Sequence, residues 1–126
     1  MSNSVRLASW ITAVNVLVAS GFSIAGLVRP QSILPLGSVP TVASLIFALY
    51  AAARTVPLAV MALIAIYRRS IPMLLVLGAL AGVIQLLDAT IGVYQHDWGK
   101  SAGPFTVAAF QFYALFELRK SASTTV

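Results

Sequence analysis

Apolar residues run along this chain in four long blocks, at about 7–28, 41–67, 71–94 and 104–118, divided by short polar or proline-rich stretches. No block shows the period-two alternation of a half-buried strand, and the first three exceed the ~20 residues a helix needs to cross hydrocarbon. Inside lipid every backbone amide must be satisfied within its own segment or a closed barrel, so the pattern predicts helices. The fold expected is all-α: an antiparallel bundle of four transmembrane helices forming one integral membrane domain over residues 1–126.

The breaks between blocks agree with that reading. RPQSILPLGSVP, residues 29–40, holds three of the six prolines together with Gly37 and stops any helix. Ile33, Leu34 and Leu36 within it suit a tuck at the membrane interface. Arg68 and Arg69 close the second block, while Ser70 and Pro72 open the third as N-cap and first-turn proline, which makes the turn tight. QHDWGKSAG, residues 95–103, is the most polar connection, and Pro104 is expected to open the fourth span. The tail SASTTV is expected to be disordered. The first apolar block runs too far, and lacks a small-residue cleavage site before Arg29, to read as a signal peptide; a retained span is expected.

Polar residues inside apolar blocks are the candidates for chemistry. In GALAGVIQLLDATIG, residues 78–92, an α-helical period puts Gly78, Gly82, Gln85, Ala89 and Gly92 on a stripe ~80° wide, with Asp88 on its flank. A carboxylate in hydrocarbon is costly unless paired, and the other charge deep within a block is Arg54, next to the helix-kinking Pro57. An Arg54–Asp88 ion pair is therefore the expected centre. Counted from the inner ends of their helices at 1.5 Å per residue, the two lie at depths of ~20 and ~25 Å, a gap an arginine can span. Tyr50, one turn before Arg54, Gln85, Gln111 and Asn15 complete a candidate ligand-binding cluster, in which Arg54 and Asp88 would be the catalytic pair of any enzyme. Serines in the spans are expected to bond back to their own helix carbonyls. Glu117 is expected to pair with nearby bases at the inner surface, and His96 to be a solvated loop residue.

Composition narrows the class further. With 60% hydrophobic and 9% charged residues and a mean hydropathy of +0.94, the chain falls far from the ~25% charged residues of soluble domains. A net charge of +5 raises the question of nucleic acid, but the bases sit at block ends and form no stripe, so none is expected as partner. Arg6, Arg68, Arg69, Arg119 and Lys120 fall on one side against Arg29 and Lys100 on the other, which places both termini in the cytoplasm. Trp10, Tyr67, Tyr94 and Trp98 then mark the interfaces. The absence of cysteine excludes thiol chemistry and thiolate metal sites, and one histidine excludes bis-histidine haem ligation. No metal and no cofactor is evident.

These features support a protein that binds a small lipophilic ligand or acts as an accessory membrane subunit. The alternatives are an acid/base enzyme of isomerase or hydratase type on a lipophilic substrate, and a small proton-coupled transporter. Small multidrug exporters share the length and span number but carry an essential glutamate in the first span, which has no acidic residue here. The Gly78–Gly82 seam suits either a neighbouring span or a second copy of the chain in a homodimer.

The second and third blocks, YAAARTVPLAVMALIAIYRRS and VLGALAGVIQLLDATIG, resemble the DoxX-like group of small four-helix bacterial membrane proteins. The shared pattern is an arginine early in one helix and an acidic residue late in the next, carried here by Arg54, Gln85, Asp88 and Gly92 over about half the chain. That resemblance implies a bacterial inner-membrane location and, by analogy alone, contact with a quinone.

Overall fold

The side chain of Ser2 accepts a hydrogen bond from the Val5 amide, which starts the first helix four residues before the apolar block. A computed structural model describes residues 2–124. It contains α1 (Asn3–Val28), a 3₁₀ turn (Pro30–Ser32), α2 (Val42–Tyr67), α3 (Ile71–Tyr94) and α4 (Trp98–Thr124). Among the described residues there is no strand. At 1.5 Å per residue each helix is ~36–40 Å long, and α1, α2 and α3 are both long and apolar enough to cross a membrane.

Each start has its own cap chemistry. Thr41 and Ser44 form a reciprocal capping box at the head of α2. Ser70 occupies the N-cap of α3 without a side-chain hydrogen bond, and Pro72 sits in the first turn. The head of α4 corrects the sequence-based boundary, because it begins at Trp98 and carries Pro104 inside. Asp97 accepts from the Lys100 amide at 3.2 Å and so nucleates the helix ahead of the proline. The end is longer too: α4 continues through Thr124, so most of the tail expected to be disordered is helical, and residues 125 and 126 lie outside the described region. Ser123 and Thr124 donate back to the carbonyls of Lys120 and Ser121 there. Likewise α2 passes through Pro57 as one continuous helix.

The α2–α3 and α3–α4 turns are built alike. Arg69 and His96 both adopt positive φ, 52° and 55°. In each turn the following amide reaches back six residues inclusive, Ser70 to the Ala65 carbonyl and Asp97 to that of Gly92, both at 3.0 Å. This is the Schellman geometry that usually recruits glycine. His96 is thus a conformational part of a turn as well as an exposed side chain.

Packing runs round the bundle from α1 to α2, α3 and α4 and back to α1, with α3 against α4 the most extensive interface. One cluster of the core joins Val5, Ala8, Leu74, Ala114 and Leu118; another joins Val16, Ala59, Ala62 and Ala81. Small residues dominate inside, while Trp10, Phe22, Phe47, Phe105 and Phe116 project outward. Lipid supplies no hydrophobic drive between helices, so close approach of small side chains must hold them together. The Gly78–Gly82 seam packs against α4: a Cβ on Gly78 would come within 2.8 Å of Gln111 and Leu115, and one on Gly82 within 2.8 Å of Phe112. At Gly92 the contact is backbone to backbone, since a Cβ would sit 2.6 Å from the Lys100 carbonyl carbon and the Ser101 nitrogen. In the 29–41 connection Ile33 tucks onto Gly26, and its carbonyl accepts from Lys100 Nζ at 3.2 Å. Leu36, expected to tuck with it, is fully exposed.

Candidate functional site

The polar centre of the bundle is a chain of neutral side chains. Gln85 Nε2 on α3 donates to Asn15 Oδ1 on α1 at 2.7 Å. Asn15 Nδ2 in turn donates to Gln111 Oε1 on α4 at 3.1 Å. Gln111 Nε2 then donates to Thr12 Oγ1, back on α1, at 2.8 Å. All four side chains are buried, Gln111 completely at 0% exposure. The chain ties three helices together at one level and lets each internal amide act as donor and acceptor at once.

Local sequence explains the convergence. Thr12 and Asn15 are three apart on α1 and so share a face, with Ser9 next along it. Gln85 lies on the small-residue stripe of α3, where Gly78 and Gly82 bring α4 close enough for Gln111 to reach across. A small cavity of about 10 Å³ adjoins Asn15, lined also by Val16, Thr55, Leu58, Ala81 and Ile84. Nearby, Ser20 departs from the expected back-bonding, because its Oγ is buried without a hydrogen-bond partner among the described residues.

The expected ion pair does not form. Among the described residues the ion pair present is Asp97 with Lys100, at 3.6 Å near the head of α4. Arg54 is exposed on α2, its Nη1 donating to the Tyr50 carbonyl at 3.0 Å and its guanidinium lying 5.5 Å from the Tyr50 ring centroid. Asp88 is exposed on α3. Glu117, expected to pair with a base, makes no ion pair among the described residues either. The physical reason is that α2 packs less extensively on α3 than on α1, which leaves the Asp88 flank of α3 uncovered. A buried amide needs only hydrogen bonds, whereas a buried charge must also recover its lost hydration.

Of the residues the sequence brings forward, Asn15, Gln85 and Gln111 meet in the core, Tyr50 and Arg54 stay together outside it, and Asp88 stands apart from both groups. Thr12 is the member the sequence reading misses. Its signal is the three-residue spacing Ser9, Thr12, Asn15, a polar line along one face of an otherwise apolar helix.

A second feature lies between α1 and α4. An apolar groove of about 400 Å³ is lined by Leu7, Trp10, Ile11, Val14, Val107 and Phe110. No family model, no curated protein and no solved structure matches this chain.

Proposed function

We propose that the chain is a four-span integral membrane protein, with both termini cytoplasmic, that holds a lipophilic molecule as a binding or accessory subunit. The observation that carries this reading is the groove between α1 and α4, whose apolar lining and ~400 Å³ suit an acyl or isoprenoid chain. The space beside Asn15, about 10 Å³, has room for no more than a single water. Support for α4 as the fourth span comes from its outward Phe105, Phe110, Tyr113 and Phe116. Support for the orientation comes from the five bases clustered at one end against two at the other.

The DoxX-like resemblance in α2 and α3 adds a bacterial inner membrane as the location and a quinone-class molecule as one candidate ligand. The acid/base and proton-coupled alternatives rank lower, because each wants Asp88 beside a second ionisable group and its carboxylate has no ion-pair partner among the described residues. The test is mass analysis of lipids that copurify with the protein in membrane-derived nanodiscs. Val14→Trp and Val107→Trp fill the groove and should each release the bound molecule while helical circular dichroism is unchanged. Retention of the same lipids by both variants would refute the reading.

A further inference from the structure

We infer that Arg54 and Asp88 are the two halves of an interface between copies of this chain, each arginine pairing with the aspartate of a second copy across a two-fold axis along the membrane normal. The two residues share one side of the bundle. Asp88 stands one helical turn beyond Ile84 and Arg54 one turn before Leu58, and Ile84 and Leu58 line the same small cavity where α1, α2 and α3 meet, so both charges lie one turn further out along the α2–α3 side. Both charges are exposed there. Helix rise puts them ~20 and ~25 Å from the inner ends of α2 and α3, in the outer half of a ~30 Å hydrocarbon core.

An unpaired charge at that depth is unfavourable in lipid. Arg54 uses its own turn as a stopgap, on the Tyr50 carbonyl and ring, while the Asp88 carboxylate has no ion-pair or hydrogen-bond partner among the described residues. A two-fold contact is self-complementary, so one arginine and one aspartate per copy give two ion pairs. Two copies related by an axis along the membrane normal keep each residue at its own depth, and an arginine side chain spans the ~5 Å difference. The surrounding surface suits burial against a like face, since Phe47, Tyr50, Leu87 and Ile91 are all exposed beside the two charges.

The test is the dimer fraction of labelled full-length protein in liposomes, read by single-molecule photobleaching. The wild type should dimerise, and R54D and D88R should each weaken dimerisation at least tenfold by opposing like charges. Mixing the R54D and D88R proteins should restore it as a heterodimer, because each altered residue then meets its opposite. The milder R54Q and D88N give a version of the test that does not depend on inserting a reversed charge, and each should also weaken the dimer. A monomeric wild type, undiminished dimers in R54Q and D88N, or rescue in the R54D/D88R double variant without rescue on mixing the single ones would each overturn the inference. The last outcome would place the pair within one chain.

Discussion

The interior of this bundle and its α2–α3 surface treat polarity in opposite ways. Inside, Thr12, Asn15, Gln85 and Gln111 are neutral and bonded to one another across three helices. Outside, Arg54 and Asp88 are ionisable, exposed, and without an ion pair among the described residues. What the interior admits follows from what each group can recover there. An amide recovers its hydrogen bonds from another amide, whereas an ion pair recovers its solvation only with good geometry and further donors. Small helices lined by alanine and glycine leave room for the amide chain and little for a guanidinium with its shell.

The comparison breaks most sharply if a charge is forced into the interior. Asn15→Asp is nearly isosteric, but it turns the donor facing Gln111 Oε1 into an acceptor and buries a carboxylate. A loss of ~3 kcal/mol or more is expected, measured as unfolding in mixed detergent micelles. Asn15→Leu keeps the branched shape at a larger volume and removes the middle of the chain, leaving the Gln85 donor and the Gln111 acceptor without partners; ~2 kcal/mol or more is expected in the same assay. Thr12→Val removes only the terminal acceptor and should cost ~1 kcal/mol. Asp88→Asn should change the folding of the monomer by less than ~0.5 kcal/mol, as for an exposed group. A large effect there would mean that Asp88 is a core residue.

The helices themselves could be read from the sequence because length and hydropathy in a membrane protein leave few choices. Three of the polar core members could be read as well, since an amide in an apolar helix must turn inward. The charge pair could not. A helical wheel places Asp88 on the flank of the small-residue stripe but does not say whether the flank is covered, and α2 packs less extensively on α3 than on α1. The start of α4 departs from the sequence-based boundary for a different reason. Pro104 is a strong helix-start signal, but Asp97 supplies a cap seven residues earlier, and Gly92 lets the first turn of α4 lie directly on α3. Thr12 carries a weak signal because a threonine in a membrane helix ordinarily bonds to its own backbone, as Thr55, Thr90 and Thr106 do here.

That the bundle is held by a neutral hydrogen-bond chain is tested most directly by a double-mutant cycle on Asn15→Leu and Gln111→Leu, with unfolding free energies measured in micelles. The 3.1 Å bond between these side chains predicts a coupling of ~1 kcal/mol between the two substitutions. Losses that simply add, to within ~0.3 kcal/mol, would contradict it.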